Sequence, residues 1–218
     1  MSYPINFDVE GKTCIVIGGG HVAYRKVIGL LNANANVILI APDICDELNS
    51  LVKVGQIEWK RQNYLYGCLP SGLILIAATD NEEVNSLAAE EAKSKHMLVN
   101  VVNKTECNDF NVPSVIRRGK LMITISTDGI SPALSKMIRI HLEKQINENF
   151  VQWLERLADI RDEVKHIIKD VNKRELFWRN VMSSENFYLI QNGELDKAEV
   201  NIRNALDSYR HKSQNGTY

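Results

Sequence analysis

The 218-residue sequence contains no apolar run of the roughly 18 residues that a helix needs to cross a bilayer. Its first residues also lack the basic and apolar regions of a secretion signal, so we expect a cytoplasmic protein with no membrane partner. Neither sign of charge is in excess, because 26 lysines and arginines face 27 aspartates and glutamates, a formal net charge of -1. Nucleic-acid-binding proteins usually carry a strongly basic face, so this balance gives no support for nucleic acid as a partner.

Cysteine is scarce, and no two cysteines have the short spacing of a zinc site. The four are Cys14, Cys45, Cys68 and Cys107. We expect them to be reduced, as is usual in the cytoplasm. The five histidines are equally scattered, so the spacing predicts no metal site. A site assembled from residues distant in sequence stays open as the alternative.

What the sequence does have is a glycine-rich turn between a predicted strand and a predicted helix. An apolar pattern over residues 13–17 leads directly into three consecutive glycines, and a helical pattern follows. The stretch reads G-x-G-x-x-A with Gly18, Gly20 and Ala23, which is typical of a dinucleotide-binding unit. Gly18 permits the sharp turn, Gly20 leaves room for a pyrophosphate, and Ala23 lets the helix lie close to the strand.

Five short apolar stretches alternate with helical patterns in the first half of the chain. They cover residues 13–17, 37–40, 56–59, 73–78 and 97–102. The alternation predicts an α/β fold with a Rossmann-like, doubly wound parallel sheet. Ligands of such sheets bind beyond the carboxyl ends of the strands, where Pro42, Asp43 and Thr79 come next in the sequence.

Asp43 allows two interpretations. As the carboxylate that follows the second strand, it accepts hydrogen bonds from both ribose hydroxyls of an adenosine, which favours NAD over NADP. Alternatively, Asp43 caps the N-terminus of a helix predicted over residues 44–54. The two roles are compatible, and both stay open.

The pattern changes after Pro113. A strand is predicted over residues 121–126 and a helix over 132–147, with Ser131 as its cap. The remainder is helical, with one apolar side over residues 151–169.

Positive charge is concentrated between residues 114 and 145, where six basic residues face only two acidic ones. The basic residues are Arg117, Arg118, Lys120, Lys136, Arg139 and Lys144. The segment is either a solvated surface or a basic wall suited to a polyanionic substrate.

Five motifs in this order resemble those of the precorrin-2 dehydrogenases of sirohaem and cobalamin synthesis. They are GGGHVAYRK at 18–26, IAATD at 76–80 with VN at 84–85, NVV at 100–102, DF at 109–110 with PS at 113–114, and IST at 125–127 with SPA at 131–133. The resemblance implies an enzyme that oxidises precorrin-2 to sirohydrochlorin while it reduces NAD. It also implies cofactor contacts at His21, Val22, Pro42 and Asp43, beside those at Gly18, Gly20 and Thr79.

The resemblance further implies a homodimer with three parts. These are an NAD-binding Rossmann domain at 1–113, a dimerisation segment at 114–147 and a helical domain at 148–218. Arg117, Arg118, Lys120, Lys136 and Arg139 are then the cations that bind the carboxylates of the tetrapyrrole. No fused methyltransferase is expected within 218 residues.

One position departs from the family pattern. The family usually has aspartate directly after Asn-Val-Val, where this sequence has Asn103. An amide has no titratable proton and cannot act as an ordinary general base. We therefore expect weak or absent iron insertion, and we expect dehydrogenation to persist with support from Asp109, a carboxylate downstream of Asn103. The alternative role of Asp109 is to cap a turn before Phe110.

Two other functions remain as alternatives. One is a catalytically impaired relative that retained the dimer, which the amide of Asn103 would explain. The other is a non-catalytic, NAD-sensing regulatory module. The stretches at 111–114 and 126–132, with the basic segment between and beyond them, favour the enzyme.

Overall fold

The computed structural model describes residues 2–102 and 104–214, in two compact units that divide between Val112 and Pro113. The first unit is built on five parallel strands. They are β1 Thr13–Ile17, β2 Asn36–Ala41, β3 Glu58–Arg61, β4 Ile74–Ala77 and β5 Leu98–Val101. Their order in the sheet is β3-β2-β1-β4-β5, the strand order of a doubly wound sheet, which confirms the predicted fold class.

Three helices cover the two faces of this sheet. They are α1 His21–Leu31, α2 Asp46–Lys53 and α3 Glu82–Ser94. Successive side chains of a strand point to opposite faces. Cys14 and Val16 of β1 accordingly pack in one cluster with residues of α1 and α2, whereas Ile15 and Ile17 pack in the other cluster with alanines of α3. β1 is therefore the buried centre of the sheet, and the glycine turn starts from its end.

The buried carboxylate of Glu91 holds the loop between β3 and β4 in place through hydrogen bonds. Glu91 of α3 is only 2% exposed, and it accepts hydrogen bonds from Tyr64 Oη at 2.6 Å and from the N–H groups of Gly67 and Leu69 at 2.9 and 3.2 Å. Lys95 Nζ lies 2.7 Å from the same carboxylate. Burial alone raises the pKa of Glu91, but these hydrogen bonds, led by that of Lys95, outweigh it and hold the pKa below its ordinary 4.5.

We expect Glu91→Ala to lower the free energy of unfolding by about 3 kcal/mol, because it leaves Lys95 without its anion and three donors without their acceptor. Urea unfolding measures the loss, and Glu90→Ala, an exposed neighbour on α3, should change it by less than about 0.5 kcal/mol. Since the folded pKa lies below the unfolded one, this stabilisation is present above about pH 4.5 and is lost as the pH falls further. Equal acid sensitivity in wild type and Glu91→Gln would contradict this account.

The second unit begins with an antiparallel hairpin of β6 Ser114–Arg118 and β7 Leu121–Ile125, followed by α4 Pro132–Glu143. The sequence predicts β7 and α4 but not β6. Ser131 Oγ accepts a hydrogen bond from the N–H of Leu134 at 3.2 Å, which confirms the predicted cap.

Four helices complete this unit: α5 Asn149–Ile167, α6 Val171–Val181, α7 Ser184–Gln191 and α8 Leu195–Gln214. They enclose a core in which Ile160, Phe177 and Ile202 are almost completely buried. Among the described residues, no helix combines the length and the apolar character needed to span a membrane.

Candidate functional site

The carboxyl ends of four strands meet at one edge of the first unit's sheet. Ile17 of β1 is in register with Ile40 of β2 and Ala77 of β4, and Ala77 is in register with Val101 of β5. The segments that follow these strands therefore lie side by side, as predicted. This edge is where ligands of such sheets bind.

Gly18 makes the turn out of β1 in a conformation that other residues avoid. Its φ is +119°, and a Cβ on it would lie 2.3 Å from the carbonyl oxygen of Ala78 at the end of β4. Its N–H donates to the carbonyl oxygen of Ile40 at 3.0 Å. Glycine is therefore required at position 18 for two reasons: it forms the turn, and it lets the end of β1 lie close to the ends of β2 and β4.

Gly19 has a role that the G-x-G-x-x-A pattern does not assign. A Cβ at this position would lie 1.8 Å from the carbonyl oxygen of Asp43, and the carbonyl oxygen of Gly19 accepts a hydrogen bond from the N–H of Cys45 at 2.8 Å. The glycine turn thus packs directly against the loop after β2. The unbroken run of three glycines is the signal in the sequence for this contact.

Gly20 differs from its neighbours, because a Cβ on it would meet nothing within 4 Å. It is the N-cap of α1 and has a φ of -86°, and no described side chain caps this helix end. The first N–H groups of a helix, here those of His21 and Val22, have no acceptor within the helix. Open space, free donors and the positive end of the helix dipole together suit a phosphate group.

Asp43 lies in the loop after β2, with its side chain 87% exposed. Cys45 is the N-cap of α2, so the alternative role of Asp43 as the cap of this helix is wrong. Its carboxylate is 3.5 Å from the guanidinium of Arg61, the last residue of β3. Arg61 also donates to the carbonyl oxygen of Pro42 at 3.3 Å and lies over the ring of Trp59, 5.5 Å from its centroid.

Arg61 is the residue that sequence reasoning missed at this edge. A β3 residue reaches the loop after β2 only because the two strands pair in parallel, with Ala41 beside Arg61. In dinucleotide-binding folds, an arginine beside the ribose accommodates a 2′-phosphate, whereas a carboxylate there opposes one. The end of β3 and the loop after β2 bring one side chain of each kind together.

Thr79 is held in place after β4 by a buried amide. Asn85, which is 3% exposed, accepts hydrogen bonds from the N–H and Oγ1 of Thr79 at 3.2 and 2.8 Å and donates to its carbonyl oxygen at 2.9 Å. The loop at the end of β4 is therefore fixed beside the glycine turn. Its partner Asn85 belongs to the motif at 84–85.

The chain after β5 is fastened back onto that strand. The N–H of Val99 donates to Asp109 Oδ2 at 2.9 Å, and the N–H of Val101 donates to Asn108 Oδ1 at 2.6 Å. Lys93 lies 3.9 Å from the other Asp109 oxygen. These contacts give Asp109 an anchoring role in the loop between β5 and β6. Asn103 lies outside the described residues.

The predicted substrate-binding cations all lie in the second unit and fall into two groups. Arg118 and Arg139 have acidic neighbours within that unit, Glu148 at 3.7 Å and Glu143 at 2.6 Å. The others, Arg117, Lys120 and Lys136, are exposed. Within this group, Arg117 donates to the thioether sulfur of Met122 at 3.2 Å.

Three protein families match consecutive parts of the chain. The family described as "Putative NAD(P)-binding" matches residues 5–114, "Sirohaem biosynthesis protein central" matches 118–145, and "Sirohaem synthase dimerisation region" matches 150–206.

Similar curated proteins carry the name siroheme synthase. Those of Actinobacillus pleuropneumoniae serotype 3 and Photorhabdus laumondii are 34% and 31% identical over 208 residues, which is 94% and 95% of this chain. The chain spans less than half the length of these relatives, 43% and 44%. Among solved structures, SirC, a precorrin-2 dehydrogenase, matches 96% of this chain and 100% of its own with a TM-score of 0.72 and 24% identity, which shows a shared fold.

Proposed function

We propose that this chain, which belongs to the NAD(P)-binding family, oxidises precorrin-2 to sirohydrochlorin with NAD. Its later residues match the central and dimerisation families of sirohaem biosynthesis. The observation that carries the proposal is the uncapped start of α1 at Gly20, open to solvent beside four strand ends. The name of the structural neighbour supplies the substrate class.

Each part of the proposed reaction has candidate residues. NAD, when bound, supplies the hydride acceptor. The N–H groups of His21 and Val22 would hold its pyrophosphate, and Asp43 its ribose. Arg117, Lys120 and Lys136 would bind carboxylates of the tetrapyrrole, with Arg118 and Arg139 beside them in sequence. Holding the reacting carbon in place supplies much of the rate acceleration in such a transfer.

The test is anaerobic incubation of the full chain with precorrin-2 and NAD, while the absorbance of NADH and of sirohydrochlorin is followed. We expect both products to appear in equal amounts. NAD binding without turnover would instead support the catalytically impaired relative.

The choice of cofactor rests on Asp43 and Arg61. We expect wild type to bind NAD more tightly than NADP, because the carboxylate of Asp43 repels a 2′-phosphate and occupies Arg61. Asp43→Ser should raise NADP affinity about tenfold, since it removes the repulsion and frees the guanidinium. Adding Arg61→Ala to that variant should remove the gain. Calorimetric titration measures both, and a wild-type preference for NADP would contradict the role of Asp43.

The proposed assembly is a homodimer. Apolar side chains are exposed on and beside the hairpin and α4: Val115, Ile130, Leu134, Met137 and Ile140. No further strand among the described residues pairs with the hairpin, so a second copy could pair with or cover its outer edges. We propose that segment 114–147 contributes to the interface together with residues 150–206, which match the dimerisation region.

Light scattering at micromolar concentration should therefore give the mass of two chains. Met137→Glu should shift the protein towards monomer, because it places a charge in the apolar contact. Val54→Glu, at a position equally exposed but in the first unit, is the matched control and should leave the mass unchanged. A monomeric wild type would overturn the proposed assembly.

A further inference from the structure

A mixed set of metal-binding side chains lies beside the glycine turn. The imidazole of His21, the thiol of Cys45 and the carboxylate of Glu47 place one potential ligand atom each within 4.8 Å of the others. His21 Nδ1 is 3.5 Å from Glu47 Oε1. We propose that these three residues bind one divalent transition-metal ion, with Zn²⁺ as the best match. This site goes beyond the proposed function and does not rest on it.

The chemistry of the three donors selects the ion. Imidazole nitrogen, thiolate sulfur and carboxylate oxygen are the ligands of Zn²⁺ and Co²⁺, whereas Mg²⁺ and Ca²⁺ prefer oxygen alone. Tetrahedral Zn²⁺ holds its ligand atoms roughly 3.3–3.8 Å apart. Small side-chain rotations would bring the three ligand atoms to these distances. Such rotations are possible because the side chains of His21 and Glu47 are 76% and 45% exposed. Three protein ligands leave a fourth position for water.

The backbone already holds the three residues in place. His21 is the first residue of α1, and Cys45 and Glu47 stand at the start of α2. The hydrogen bond from the N–H of Cys45 to the carbonyl oxygen of Gly19 joins the two helix starts across the glycine turn. Binding would therefore cost little backbone entropy.

All three side chains bind a metal ion in their deprotonated forms. The Cys45 thiol would lose its proton to solvent as the metal–sulfur bond forms. By contrast, burial inside the sheet raises the pKa of the Cys14 thiol to about 11, which makes Cys14 a poor ligand.

Titration of the metal-free full chain with Zn²⁺ alone tests the site. We expect one ion per chain, an increase in Tm because only the folded state brings the ligands together, and no response to Mg²⁺. Co²⁺ should give the absorption of a thiolate–cobalt bond. Cys45→Ser should weaken Zn²⁺ binding about hundredfold and abolish that absorption, and Glu47→Gln should weaken binding about tenfold. Cys68→Ser is the matched control and should bind as wild type.

Absence of Zn²⁺ binding by the wild-type chain would overturn the proposal. Zn²⁺ binding and cobalt absorption that survive Cys45→Ser unchanged would also overturn it, because the ion would then occupy another site. The titration needs neither precorrin-2 nor NAD, so its outcome is independent of the proposed dehydrogenase activity.

Discussion

Gly20→Asp should weaken NAD binding severely while the protein folds as well as wild type or slightly better. A Cβ at position 20 meets nothing within 4 Å and the backbone φ is -86°, so the fold accepts a side chain there. Aspartate is a favourable N-cap and interacts well with the helix dipole, which adds about 1 kcal/mol of stability. The same carboxylate would occupy the phosphate position, and its repulsion should weaken NAD binding by about hundredfold or more, roughly 2.7 kcal/mol.

Calorimetric titration with NAD, together with thermal unfolding, measures both effects. Gly20→Asn is the matched control, because it adds the same bulk without the charge and should lose less affinity. Gly19→Ala should show the opposite behaviour and lose stability, since its Cβ would collide with the carbonyl oxygen of Asp43. Unchanged NAD affinity in Gly20→Asp would remove the start of α1 from the binding site.

The more completely a strand is buried, the more accurately the sequence predicts its position. β1 lies at residues 13–17, as predicted. It is a central strand, so its residues are mostly apolar, and the glycines that follow mark its end. β3 lies at Glu58–Arg61, two residues later than predicted, because it is an edge strand paired only with β2 and three of its four residues are charged. β6 was missed since only Ile116 in it is buried and two arginines end it.

The candidate site was predictable where it depends on one segment of the chain. Gly18, Gly20 and the edge that they occupy follow from the order strand, turn and helix. The contacts of Gly19 with Asp43, and of Arg61 with Asp43, join segments that only the sheet brings together. The cluster of His21, Cys45 and Glu47 is likewise invisible in the spacing of the sequence, which predicts no metal site.

The segment after β5 contains Asp109, one of the residues expected to support the proposed reaction. Asp109 holds this segment through the N–H of Val99, so we propose that it supports dehydrogenation as a positioning residue. Asp109→Ala should lower kcat about tenfold without changing the shape of the pH profile. Asp109→Asn should slow the reaction less, because an amide oxygen can still accept the hydrogen bond. Glu106→Gln, an exposed carboxylate in the same loop, should have little effect. An altered pH profile in Asp109→Asn would instead assign it the role of general base.

Asn103→Asp should increase iron insertion into sirohydrochlorin about hundredfold, with a much smaller effect on dehydrogenation. Insertion requires pyrrole protons to leave, and a general base typically contributes about 10²–10⁴-fold. The amide of Asn103 cannot take such a proton, so we expect insertion by the wild-type chain to stay at the spontaneous rate. Hydride transfer depends chiefly on the positions of the reactants, so we expect it to tolerate the amide. The appearance of sirohaem with ferrous iron, compared with a protein-free control, measures insertion. Rapid insertion by the wild-type chain would show that a carboxylate at position 103 is not required, and the departure from the family pattern would then carry no functional consequence.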